Sequence, residues 1–139
     1  MKQTTRNYLV LGLIVAAVVG MMMFNRVRSG RLTGQLPDDS IVAAGKPVLL
    51  QLGAHWCPPC RQQVPVMVEL ANEQTLFQPA YLDVDEHPDK ARHYGVSSIP
   101  VLIFFDAAGN ELFRHVGFYP KKDILAQWEK LGIQTPSGS

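Results

Sequence analysis

Cysteine is scarce in this chain. Only two occur among its 139 residues, so no framework of disulfides staples the fold and the pair is more readily explained by chemistry than by structural need. Charge is sparse and nearly balanced: 18% of residues are charged and the net charge is +1. That removes the basic surface a nucleic-acid partner would require. Histidine is thin and scattered over His55, His87, His93 and His115, with no spaced pair to complete a zinc site around the two thiols. Internal repeats are missing too. What is abundant is apolar content, at 47%, enough for a packed core and too much for a chain that stays disordered.

Charge is missing altogether from residues 8–24, YLVLGLIVAAVVGMMMF. As a helix the run is roughly 25 Å long at ~1.5 Å per residue, the short end of what crosses a bilayer. Lys2 and Arg6 give it a basic start, as in a signal peptide, but the sequence after it, Asn25-Arg26, supplies no small-residue cleavage site. An uncleaved, single-pass transmembrane helix is the favoured reading, over a cleaved signal and a buried soluble helix. Arg26, Arg28 and Arg31 on the far side nearly balance Lys2 and Arg6, so flanking charge leaves the orientation open.

The remainder divides on composition. Residues 1–7 form a basic tail and 8–24 the anchor. Residues 25–35 have no sustained hydrophobic period and read as a linker, 36–134 as a folded domain, and 135–139 as a flexible tail. Within the domain, short apolar runs alternate with helical stretches. Strands are expected at 48–54, 80–84 and 101–105, and an antiparallel return at 111–116 after the turn Ala107-Ala108-Gly109-Asn110. Helices are expected at 59–72, kinked at Pro65, at 88–94, stopped by Gly95, and at 121–131 with Ile124, Leu125, Trp128 and Leu131 on one face. This order makes an α/β fold with a central mixed β-sheet flanked by helices. Asp83, Asp85, Glu86 and Asp89 read as a solvated strand exit and helix cap.

Both cysteines fall in one stretch, HWCPPCRQQVP, between the first strand and the first helix of the domain. Such a pair can be half a metal site, an inert local disulfide, or a dithiol that cycles. The setting favours the last. Cys57 stands at a helix entrance, where the positive end of the dipole favours thiolate, the attacking species in disulfide exchange. Cys60 is one turn further in, within reach to resolve a mixed disulfide. Pro58 and Pro59 occupy first-turn positions where a missing N–H costs little, yet they withdraw donors from the Cys57 sulfur.

Trp56-Cys57-Pro58-Pro59-Cys60 resembles the active site of the thioredoxin superfamily. Further matches stand at consistent spacing: Pro65 in the following helix, Leu82-Asp83-Val84-Asp85 at a strand exit, Tyr94 through Pro100 in YGVSSIP, and Val116-Gly117. The resemblance covers roughly residues 46–131 and implies a thioredoxin fold behind the transmembrane helix, of the kind found in membrane-anchored, TlpA-like oxidoreductases. It implies catalysis by Cys57 and Cys60 with no cofactor and no metal beyond the redox-active disulfide itself. It implies a cis bond before Pro100 and a client groove shaped by Trp56, Ile99 and Pro100.

Three positions depart from the family pattern. Gln51 stands where thioredoxins bury an aspartate, and Tyr81 where that aspartate has a lysine partner. Gln63 stands where relatives of the TlpA and ResA type often carry a glutamate. Neutral amides cannot take the Cys60 proton, which leaves water or His55. Gln51, His55, Pro58 and Pro59 are therefore the expected tuning residues, Gln51 either on a proton path or as a satisfied buried amide. The expected function is a membrane-tethered protein-disulfide reductase of the bacterial envelope. It would be monomeric, single-pass in the inner membrane, with its domain on the periplasmic, extracytoplasmic side. Its partners would be protein thiol and disulfide clients and a membrane reductant conduit of the DsbD or CcdA kind. The alternatives are a disulfide oxidant or isomerase of the same fold, and a copper-delivery protein using the cysteine pair.

Overall fold

The computed structural model describes residues 2–33, 36–73 and 76–133. The elements follow one another as helix α1 (Lys2–Thr33), a 3-10 turn (Asp39–Ile41), β1 (Val48–Gly53), α2 (Pro58–Glu73), β2 (Gln78–Asp83), α3 (Pro88–His93), β3 (Val101–Phe105), β4 (Glu111–Val116) and α4 (Lys121–Lys130). Every strand and helix expected inside the domain is present within a residue or two of its expected bounds. The segment read as linker is helical as far as Thr33, because it holds no proline to break a helix. The expected tail at 135–139 lies outside the described residues, as does the side chain of Phe24, the last residue of the expected anchor. Described side chains of α1, at residues 7–23, are all exposed. Among the described residues, no helix is long and apolar enough to cross a membrane.

The four strands form one mixed sheet in the order β2-β1-β3-β4. β1 runs parallel to β2 and antiparallel to β3, and β4 returns antiparallel on β3 with a bulge between Phe104 and Phe105. Pro79 fits inside β2 because that strand has a partner on one side only. Its missing N–H points to the outer edge, where the neighbouring Tyr81 N–H is taken by the Pro37 carbonyl at 2.9 Å.

Alternation along the strands divides the core in two. Leu49, Tyr81, Leu102 and Phe104 face α2 and α4, meeting Val64, Met67, Leu70, Ile124 and Trp128. The Trp128 ring stacks on Phe77 with centroids 4.8 Å apart and tilts against Phe104 at 4.7 Å. On the other face Val48, Leu50, Leu52, Ala80, Leu82, Val101, Ile103 and Phe105 are covered by Tyr94, Val96 and the loops around α3. β1 is buried along its whole length, Gln51 included, as its predominantly apolar sequence predicts. α2 continues through Pro65, which sits on the exposed face of the helix. There the Arg61 carbonyl that loses its intrahelical partner can turn to solvent. Gly95 ends α3 with φ of 63°, letting the Val96 N–H reach back to the Ala91 carbonyl at 2.9 Å.

Candidate active site

β1 delivers the chain to the cysteines and α2 carries it away. The loop between them is closed by the Cys57 N–H donating to the Ala54 carbonyl at 3.2 Å. Pro58 and Pro59 open α2 without N–H groups, so the first helical donor belongs to Cys60, and it points at the Cys57 sulfur at 3.3 Å. The two sulfurs are joined, at 2.16 Å, with Cα atoms 5.2 Å apart. Both residues are buried, and with Ala54 they form a small cluster against which Val84 and Ile99 pack. Burial disfavours thiolate at either sulfur; the helix start and the Cys60 N–H favour it only at Cys57.

Around this pair stand the expected groove residues. Ile99–Pro100 is cis, and the Pro100 carbonyl accepts from the Gly117 N–H at 2.7 Å. That contact ties the proline loop to the end of β4, where φ of 98° at Gly117 suits only glycine well. Trp56 is two-thirds exposed, at 67%, and its indole N–H donates to the Asp85 carboxylate at 2.7 Å. That bond fixes a large apolar face beside the sulfurs. A groove of about 290 Å³ runs between α3 and the proline loop, lined by Val84, Ala91, Val96, Ser97, Ser98 and Ile99. Phe118, 40% exposed, adds a further apolar face just past Gly117. The roles of Val84, Asp85 and Phe118 were not foreseen. Val84 and Asp85 lie in the matched segment 82–85 and Phe118 directly follows 116–117, but only the folded chain brings those segments together.

The tuning residues separate on inspection. Gln51 is fully buried and its amide N–H donates to the Cys60 carbonyl at 3.0 Å, which puts it at the active pair. Its Oε1 has no hydrogen-bond partner among the described residues, so of the two readings the fully satisfied amide does not hold. Gln63 is turned away from the cysteines. It accepts the Tyr119 N–H at 2.7 Å and donates to the Tyr119 carbonyl at 3.0 Å, a two-way clasp between α2 and the segment before α4. It stands where TlpA- and ResA-type relatives often carry a glutamate, and as a neutral amide its contacts are structural.

Asp83 corrects the expectation of a solvated strand exit. It is buried, at 5% exposure, and accepts from the Asp85 N–H at 2.9 Å, the Glu86 N–H at 3.3 Å and the Tyr81 hydroxyl at 3.4 Å. His55 Nε2 lies 3.2 Å from its Oδ2 and 4.0 Å from Glu86. Burial, and then the charge of Asp83, push the Tyr81 hydroxyl well above the ordinary phenol range, so it stays a neutral donor. The site thus has a buried carboxylate, held on β2 rather than β1. The reason is the backbone turn after Asp83, which points the amides of residues 85 and 86 back at it. Among the described residues, no group of three or more His, Cys, Asp or Glu is placed to hold a metal ion.

Comparison with known proteins agrees with this geometry. Residues 32–130 match the family model for thioredoxin. A thioredoxin of Alicyclobacillus acidocaldarius is 38% identical over 87 residues, spanning 62% of this chain and 82% of that protein. A thioredoxin of Mycobacterium bovis is 41% identical over 88 residues, spanning 63% and 75%. Among solved structures, a single-substitution mutant of the thioredoxin from Halobacterium salinarum superposes with a TM-score of 0.62 at 33% identity, over 70% of this chain and 85% of that one. With most of the folded domain matched and the two cysteines bonded across the start of α2, the chain belongs to the thioredoxin family and is a thiol–disulfide oxidoreductase.

Proposed function

We propose that this oxidoreductase is tethered to a membrane and reduces protein disulfides on the extracytoplasmic side of the bacterial inner membrane. The reading of the site rests on one observation: the Cys60 N–H is aimed at the Cys57 sulfur at the start of α2. In the reducing direction the Cys57 thiolate attacks a client disulfide, and one client sulfur leaves and takes a proton. Cys60 then loses its proton and attacks the Cys57 sulfur, releasing the second client thiol and closing the Cys57–Cys60 bond. The client lies along the Ile99–Pro100 loop against Trp56, whose exposed face gives contact area without a sequence-specific pocket. The protein works as a monomer with no cofactor.

The tether is supported by the uncharged run 8–24, whose described side chains, at residues 8–23, are all exposed. An envelope location is where disulfides form and need management, and a membrane reductant conduit would return electrons to the pair. Lack of N–H groups at Pro58 and Pro59 favours a reductant over an oxidant, since a less stabilised thiolate disfavours the reduced form. The test is made on the full chain in intact cells. A membrane-impermeant maleimide should label the reduced cysteines, and carbonate extraction should leave the protein in the membrane fraction. Labelling only after lysis refutes the orientation, and release by carbonate refutes the tether. Failure to reduce insulin disulfides in detergent refutes the reductase direction independently.

A further inference from the structure

The short helix α3 has little of its own to hold it in place. None of its residues is buried, and its start at His87 has no side-chain cap, so its local stability is low. Yet the segment it opens lines the groove, with Pro88 and Ala91 first and then Ser97, Ser98 and Ile99 on the way to the cis bond at Pro100. Among the described residues, the side-chain hydrogen bonds that join this segment to other elements both end on one carboxylate. Lys90 Nζ pairs with Asp39 Oδ1, and the Tyr94 hydroxyl donates to Asp39 Oδ2 at 3.0 Å. Burial, and then that bond to Asp39, push the Tyr94 hydroxyl well above the ordinary phenol range, so it is a neutral donor. Asp39 in turn stands on a fixed base. It opens the 3-10 turn, where Asp38 caps the Ser40 N–H at 2.9 Å. Just before it, the Pro37 carbonyl takes the Tyr81 N–H at the edge of β2, and Leu36 is buried in the core. The Asp39 side chain is only 11% exposed, so its bonds to Lys90 and Tyr94 are better shielded than those of a surface ion pair.

We propose that Asp39 is a positioning residue for client binding. By holding Lys90 and Tyr94 it sets the α3 wall of the groove and the start of the proline loop, and thereby the affinity for protein disulfides. Its two partners lie 51 and 55 residues away in sequence, so the groove is governed from the stretch that joins α1 to the domain. Asp39 takes no part in the exchange itself. Attack and resolution stay with Cys57 and Cys60, and a small disulfide that needs no groove is reduced without help from α3. A client chain laid along the groove depends on the place of both walls. Without Asp39, Lys90 loses its counter-charge and the partly buried Tyr94 hydroxyl loses its acceptor. The segment 88–100 then spends time with the groove misformed, and the apparent affinity falls by the fraction of molecules in which it is formed. This role rests on the client lying along the Ile99–Pro100 loop, as proposed above, and is independent of the tether.

Asp39→Leu removes both acceptor oxygens. In the full-length protein in detergent, the KM for insulin should rise about three- to tenfold with kcat little changed, the pattern of lost binding rather than lost chemistry. The rate with a small aromatic disulfide and the equilibrium with glutathione should match wild type. Asp39→Asn keeps one acceptor oxygen and should recover most of the insulin KM. If Asp39→Leu does not fold, the double variant Lys90→Met, Tyr94→Phe empties the same carboxylate from the α3 side and should give the same split between KM and kcat. Ala91→Arg, which obstructs the groove directly, separates this role from the reading it rests on. A raised insulin KM in Ala91→Arg beside an unchanged one in Asp39→Leu overturns the role of Asp39 and leaves the client groove standing. An unchanged KM in both overturns the client groove and the role of Asp39 with it. Equal losses on insulin and on the small disulfide, or a shifted glutathione equilibrium, overturn it too, since a merely weakened fold would give that result.

Discussion

The Gln63–Tyr119 clasp makes the sharpest stability prediction. Gln63 is fully buried and makes two hydrogen bonds to one residue 56 positions away, accepting at 2.7 Å and donating at 3.0 Å. Gln63→Leu removes both and strands the Tyr119 N–H and carbonyl, which are only partly buried. Each lost bond is worth about 0.5–1.5 kcal/mol, and each stranded group costs about 1–3 kcal/mol when water cannot reach it. With partial solvent access at Tyr119 the total should fall at about 2–4 kcal/mol. For a domain of this size each kcal/mol moves the melting temperature by about 4–8 °C, so the oxidised variant should melt roughly 8–32 °C lower. Gln63→Glu sharpens the test through pH. A glutamate can donate to the Tyr119 carbonyl only when protonated, so the folded state raises its pKa above the unfolded value near about 4.3. The folded state then binds more protons than the unfolded one, and stability falls as pH rises. The variant should be close to wild type at about pH 4 and clearly weaker at about pH 7. A melting temperature within about 2 °C of wild type for Gln63→Leu, or a Gln63→Glu variant whose deficit is the same at both pH values, would refute the clasp.

Other outcomes follow from the site. Cys57→Ser should abolish insulin reduction, whereas Cys60→Ser should accumulate mixed disulfides on non-reducing gels; the reverse pattern would exchange their roles. Pro58→Gly restores a backbone N–H at the helix start and should raise the potential measured against glutathione by about 10–30 mV, about 0.5–1.4 kcal/mol of added thiolate stabilisation; an unchanged potential would show that this donor does not reach the sulfur. Trp56→Phe deletes an exposed hydrogen bond to Asp85 and should cost less than about 1 kcal/mol of stability while weakening reduction of protein clients more than reduction of a small aromatic disulfide. Equal losses on both substrates would remove Trp56 from the client surface.

The local part of this molecule was written in its sequence. A largely apolar run at 48–53, broken only by Gln51, reads as a strand buried on both faces, and a helix entered through two prolines has one sensible start. Glycines at 95 and 109 mark a helix end and a hairpin turn with positive φ. The cysteine pair falls at the junction these elements create, so the redox site was legible from short spacings alone. The rest depended on which distant groups met. Gln51 and Gln63 are the same residue type, and both are fully buried, yet one lies against the Cys60 carbonyl and the other closes on Tyr119. Asp83 sits in a run of acidic residues that reads as solvated, but the turn at 85 and 86 aims two amides at it while Tyr81 and His55 close over it. Hydrophobic period and turn chemistry act over a few residues and are set by the local chain. The partner of a buried polar group is set by packing between elements far apart in sequence, and that was decided only when the sheet closed.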